Sequence, residues 1–106
     1  MPPNNIDRGD VWLADLGMAA KVRPCLVLSV PPGSVDRVLF TLVPHTTSVA
    51  GSAFEVHVPL PFLKVGAFDA QGLITVPRPR LIRRLGTLSS TDLALVESAV
   101  CSWLGL

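Results

Sequence analysis

The sequence predicts a mainly β, α+β fold: a small barrel of about six short strands, followed by one C-terminal helix. Short apolar stretches recur along the chain between Pro, Gly and polar breaks, as strands of a small barrel do. A helical period occurs at the C-terminal end, over residues 90–104. The length, 106 residues, leaves room for one domain with one modest core. Residues 1–106 are therefore read as a single domain, with 1–7 as a flexible tail.

Each element has a local reason. Residues 1–7 are rich in Pro and Asn and are expected to fray. Asp10–Leu16 mixes Val11, Trp12 and Leu13 with Asp15, which suits a first strand. A short connection, 17–21, leads to a second strand at Val22–Val30, rich in Val and Leu. Pro31-Pro32-Gly33-Ser34 is a turn. Val38–Val43 is almost wholly apolar and reads as a central strand, which Pro44 ends or brings to a sheet edge. His45–Ser52 then reads as a polar loop. In Phe54–Val58 the apolar residues alternate with Glu55 and His57, predicting a half-buried strand with a wet face. Strands are also expected at 67–70, 73–76 and 81–85. Ser89-Ser90-Thr91-Asp92 has the pattern of a capping box. Leu93, Val96, Val100 and Leu104 then share one helical face, and Gly105 is a natural terminator.

Composition narrows the function classes. The chain is 49% hydrophobic and 16% charged, against about 25% charged for an average domain. So large an apolar supply on so small a surface predicts a homodimer. No apolar run approaches the roughly 18 residues of a membrane helix, and the N-terminus lacks the pattern of a signal peptide. A cytosolic protein without a membrane partner is expected. Cys25 and Cys101 are far apart and form no CxxC, so they read as buried thiols. The motifs GxxxxGK[ST], GxGxxG and HExxH are missing; no cofactor and no metal are expected. The net charge is only +1, yet Lys64, Arg78, Arg80, Arg83 and Arg84 make up five of nine basic residues. Such a strip suits a polyanion as well as it suits a solvated strand face.

Several residues can carry chemistry. Arg23 precedes Pro24, whose ring disfavours helical geometry at the residue before it. Its guanidinium is thus held on an extended backbone and suits a bidentate grip on phosphate; on composition alone the plainer reading is an ion pair with Asp10 or Asp15. Thr46-Thr47-Ser48 offers three hydroxyls to a phosphate, or forms an ordinary polar loop. His45 and His57 are acid–base candidates. His57 should face solvent, and an extended backbone sends His45 and Thr46 to opposite faces. Trp12 and Trp103 can stack on bases, although Trp103 beside the apolar helix stripe suits packing or an interface.

Arg8-Gly9-Asp10-Val11-Trp12-Leu13-Ala14-Asp15-Leu16, Val22-Arg23-Pro24-Cys25-Leu26-Val27-Leu28-Ser29, Leu42-Val43-Pro44-His45-Thr46-Thr47-Ser48, Arg80-Leu81 and Leu85-Gly86-Thr87-Leu88-Ser89 together resemble the MazF/PemK family of bacterial toxin endoribonucleases. The resemblance implies an SH3-like (CcdB/PemK-type) barrel with a C-terminal helix, acting as a homodimer. It implies metal-independent cleavage of single-stranded RNA at short motifs, by attack of a 2′-hydroxyl that leaves 2′,3′-cyclic phosphate and 5′-hydroxyl ends. It also implies inhibition by a cognate MazE-like antitoxin. The family's key Arg, in an Arg-Pro step, maps onto Arg23, and its key Thr or Ser onto Thr46. Lys21, Thr47, Ser48, Gln71, Asp69 and Trp12 are the expected RNA contacts, and His45 a candidate acid or base. Arginine is a poor base, so the proton acceptor stays open. The first loop, 17–21, is shorter than usual in the family. Where the family commonly has Asp-Gln-x-Arg-Thr, this chain has Gln71-Gly72-Leu73-Ile74-Thr75, with Ile74 in place of Arg. A competing reading is a gyrase-binding toxin of the CcdB type, which Trp103 and Gly105 near the C-terminus echo.

Overall fold

In the computed structural model, residues 5–17 and 21–106 are described. The strands are β1 (Asp10–Asp15), β2 (Val22–Val27), β3 (Leu39–Thr46), β4 (Glu55–Val56), β5 (Ala67–Asp69), β6 (Ile74–Pro77) and β7 (Leu81–Thr87). One helix, α1 (Ser90–Leu104), follows, and short 3-10 turns occupy Ala70–Gly72 and Arg78–Arg80. The seven strands form one antiparallel sheet in the order β4-β5-β3-β2-β1-β7, with β6 also on β3. The expected barrel is not closed: β6 pairs with β3 and β7 with β1, and no ladder joins β6 to β7.

Alternation along the strands feeds two cores. Val11, Leu26, Val43 and Phe68 face α1, where Val96, Ala99 and Val100 meet them. Trp12, Ala14, Cys25, Val27, Phe40, Leu42, Val76 and Leu81 pack on the other face. Ile6 is buried in this second core, and Asp10 Oδ2 accepts from the Asp7 N–H at 3.0 Å. The expected flexible tail is therefore anchored at its end by one apolar side chain and one carboxylate; residues 1–4 lie outside the described residues.

The helix begins and ends as its caps require. Ser89 accepts from the Asp92 N–H at 3.1 Å, and Gly105 adopts φ 73° as the left-handed stop. Leu104, expected on the buried stripe, is half exposed.

Two prolines shape the sheet where function is expected. β3 does not stop at Pro44 but continues to Thr46, so His45 and Thr46 are strand residues and not loop. The Leu28 N–H donates to Thr41 O at 2.9 Å, so odd residues of β3 direct their peptide groups toward β2 and even ones away. Pro44 thus lacks its N–H on the far side. There the β6 ladder has ended at Leu42 and the β5 ladder has not yet begun at His45. Pro24 lacks the N–H that would point toward β3, and the β2–β3 ladder ends at Cys25 and Pro44. Beyond that pair the two strands part, leaving a fork between Arg23 and Thr46.

Candidate active site

The fork holds the predicted pair. Arg23 alternates with Cys25 and Val27, and Thr46 with Phe40 and Leu42, so both side chains lie on the face of the second core. There they line a cleft of about 280 Å³ with Leu16, Pro44, Asp69, Gly72 and Ile74. Of the acids that the sequence offers Arg23, Asp10 pairs with Arg84 at 3.2 Å and Asp15 with Arg80 at 3.8 Å.

Thr46 is held by its own loop. Its Oγ1 accepts from the Ser48 N–H at 3.1 Å and lies 3.4 Å from Ser48 O. The short bond fixes the oxygen, and the long one leaves the hydroxyl proton free to turn toward a ligand. Asp69 caps the 3-10 turn: its Oδ1 accepts from the Gln71 N–H at 3.0 Å. Gly72 permits this turn to close on β3, since a Cβ there would stand 2.8 Å from Pro44 Cγ and 3.2 Å from Asp69 Oδ2. The cleft thus offers a guanidinium, a hydroxyl donor and one carboxylate within an apolar wall. Ile74, the departure from the Arg of the family pattern, is part of that wall.

The other expected contacts separate from this group. Lys21, Thr47 and His45 line a larger cleft of about 510 Å³, to which Arg23 also contributes. His45 is buried, with its ring edge-on to Phe68 at 5.1 Å. Burial, and His57 nearby, hold its imidazole below the ordinary histidine range, so it is neutral at neutral pH. Ser48 and Gln71 are exposed and act through backbone N–H groups, on Thr46 and Asp69.

Trp12 corrects the expectation of base stacking. It is buried in the second core, its Nε1 donates to Asp10 Oδ2 at 3.4 Å, and the Arg78 guanidinium covers its ring at 5.4 Å. Alternation with the partly buried Leu13 sends it inward. Arg78 also donates to Leu81 O, so three of the five strip cations, Arg78, Arg80 and Arg84, serve the fold. Cys25 and Cys101 are free thiols, and burial pushes Cys25 up to about 12, which leaves it inert. Among the described residues no group of three His, Cys, Asp or Glu is arranged to hold a metal.

Sequence signals for the site are partial. Arg23 and Thr46 are marked by the Arg-Pro step and the hydroxyl run. Ile74 and Leu16 carry no chemical signal, and the pairing of β3 with β5 and β6 alone brings Asp69 and Ile74 to them.

Comparison with known proteins bears on the family and the fold. Residues 7–104 match the family described as PemK-like, MazF-like toxin of type II toxin–antitoxin system. An endoribonuclease in complex with its cognate antitoxin, from a mycobacterial species, superposes with a TM-score of 0.82 at 22% identity, covering 96% of this chain and 97% of that one. The MazE–MazF complex of Deinococcus radiodurans gives 0.79 at 26% identity, covering 97% and 98%. The Mycobacterium tuberculosis toxin MazF-mt6 gives 0.78 at 26%, covering 92% and 97%.

Proposed function

Because the chain belongs to the PemK-like, MazF-like family of toxins of type II toxin–antitoxin systems, we propose that it is an endoribonuclease that cuts single-stranded RNA at the Arg23–Thr46 cleft. The observation that carries this reading is that Arg23, Thr46 and Asp69 line one cleft at the end of the sheet. The CcdB-type alternative is not favoured: the family match is to PemK and MazF, and Trp103 packs edge-on against Phe54 at 5.3 Å.

In the proposed reaction the 2′-hydroxyl of one nucleotide attacks the adjacent phosphorus. The new O–P bond closes a 2′,3′-cyclic phosphate while the bond to the 5′-oxygen breaks, and that oxygen takes a proton from solvent water to leave as the 5′-hydroxyl. Negative charge grows on the non-bridging oxygens in the transition state. The Arg23 guanidinium on its rigid Arg-Pro backbone, with the Thr46 O–H, is aimed at that charge. Arginine does not take up the 2′-proton. Asp69 is the one carboxylate among the lining residues, and we assign it that role. Its Oδ1 is held by the Gln71 N–H, which leaves Oδ2 for the substrate. DNA lacks the nucleophile, so the chemistry itself selects RNA.

The inhibitor on this reading is a cognate antitoxin, by analogy with the MazE of the Deinococcus radiodurans complex. The site of action is the cytosol, where mRNA is translated. Neither cysteine is paired, and no described helix is long and apolar enough to cross a membrane.

The test is incubation of the purified protein with a long single-stranded RNA in EDTA. Fragments with 5′-hydroxyl and 2′,3′-cyclic phosphate ends are expected. RNA that stays intact at high enzyme concentration rejects the reading, and cleavage that appears only when a divalent ion is restored rejects its metal independence.

A further inference from the structure

Across β2 from the Arg23–Thr46 cleft lies the larger one, of about 510 Å³, to which the reaction above gives no occupant. Its floor is one row of residues across four strands. Leu13 pairs with both Arg83 and Pro24, and His45 follows next, one step beyond the Cys25–Pro44 pair. These residues share the face of Val11, Leu26 and Val43, opposite to Arg23 and Thr46. Phe62, Leu63 and Lys64 form a wall, and Lys21 and Thr47 stand at the rim.

The charge of this cleft is one-sided. Lys21, Arg23, Lys64 and Arg83 line it, with no carboxylate among the lining residues. Of the arginines outside it, Arg8 pairs with Glu97, Arg80 with Asp15 and Arg84 with Asp10, and Arg78 covers Trp12. Like charges gathered around a concave, partly apolar surface repel one another and focus a positive field into the cleft. That combination suits a ligand with a flat apolar body and an attached anion. The volume falls in the range of small-ligand sites, roughly 300–1,000 Å³.

His45 adds a means of reading. Its ring contacts Phe68, and no hydrogen bond to a described residue ties its nitrogens. No described side-chain nitrogen or oxygen is both buried and unpartnered, so the His45 nitrogens open toward the cleft they line. A neutral imidazole offers one donor and one acceptor, which is what a base edge requires.

We propose that this cleft holds one nucleotide of the RNA strand, next to the phosphate at Arg23 and Thr46. Its base lies on the Leu13–Pro24–Leu63 surface and is read by His45, and its phosphate is held by Lys64 and Arg83. Arg23 lines both clefts, so a strand crossing the fork fills them in succession. The inference rests on the RNA-cleaving reading of the neighbouring cleft.

The experiment uses a labelled short single-stranded RNA pool of random sequence, methylated at every 2′-hydroxyl so that it binds without being cut. Anisotropy titrations across salt compare wild type with Lys64→Ala/Arg83→Ala. We expect binding weaker by about tenfold at low salt, and a plot of log K against log salt shallower by about 0.7 for each phosphate that is no longer neutralised. Lys64→Arg should restore most of the affinity. In parallel, His45→Gln, with its fold verified by circular dichroism, should change the preferred base at one position of the cleaved sites, mapped by sequencing the new 5′ ends. Affinity, slope and cleavage preference that all match wild type overturn the proposal. Loss of poly-glutamate binding with RNA binding intact also overturns it, in favour of an acidic protein segment. A wild-type protein that binds the pool but leaves unmodified RNA whole rejects the active-site reading and not this one.

Discussion

The division of labour at the fork is set by parity along two strands. Arg23 and Thr46 share a face because each sits an even number of residues from side chains of the second core, Cys25 and Phe40 among them. Arg23→Ala should therefore lower cleavage by about 100- to 1,000-fold with folding retained, as removal of a preorganised charge-stabilising donor does; single-turnover rates on long RNA check this. Thr46→Ala should fall in the same direction, and Thr46→Ser should recover most of the rate because it restores the hydroxyl. Asp69→Asn keeps an oxygen for the Gln71 N–H but cannot take a proton. Its kcat should drop by about 100-fold or more if Asp69 is the base, with KM little changed. A rate equal to wild type removes Asp69 from that role.

Elements whose cues are local are legible in the sequence, and those made by distant pairing are not. Helix α1 can be read to its ends because the Ser89 cap and the Gly105 stop are chemistry within a few residues. β3 cannot. A proline normally ends a strand, but here its missing N–H falls between two partner ladders supplied by β5 and β6, far along the chain at Phe68 and Ile74. β4 is shorter than its alternation implies, only Glu55–Val56. His57 leaves the ladder to place Nδ1 3.0 Å from Gly66 O, across the segment that walls the larger cleft. The site divides in the same way: the Arg-Pro step is visible in sequence, whereas the arrival of Asp69 and Ile74 opposite it is not. Gly66 is the point of closest approach. A Cβ there would stand 2.2 Å from Thr46 O and 2.7 Å from His45 Cε1, so Gly66→Ala must displace the end of β3. We expect a loss of about 1–3 kcal/mol in urea unfolding, the usual range for overpacking, and a fall in cleavage beyond what that loss explains. Wild-type stability in this variant contradicts the close approach.

At the scale of the whole molecule, stability couples to pH through His45. Its imidazole titrates below the ordinary histidine range because burial, and then His57, disfavour the charged form. The unfolded chain therefore binds the proton more readily than the folded one. Folding stability should be unaffected by this group above its unfolded value of about 6.5. It should decline as pH falls below that value and level off once the folded form is protonated too. His45→Gln should flatten that part of the curve. Urea midpoints across weakly acidic pH check this, and an equal slope in the variant rejects it.

The apolar surplus of the chain also has its consequence at this scale. Folding leaves Val30, Val35 and Val38 exposed between β2 and β3, and Trp103, Leu104 and Leu106 exposed at the end of α1. A chain with 16% charged residues has few polar side chains to screen them. A dimer interface of ordinary size covers about 800 Å² of each partner, which is about an eighth of the 6340 Å² accessible here. Pairing two copies over apolar surface would remove it from water at about 25 cal/mol per Å² before the costs of association. We expect light scattering at micromolar concentration to give twice the 11.3 kDa of the chain, and the melting temperature to rise with protein concentration, since a dimer stabilises its folded subunits by mass action. A mass of 11.3 kDa and a melting temperature independent of concentration would falsify the homodimer, and the exposed apolar groups would then need a different partner.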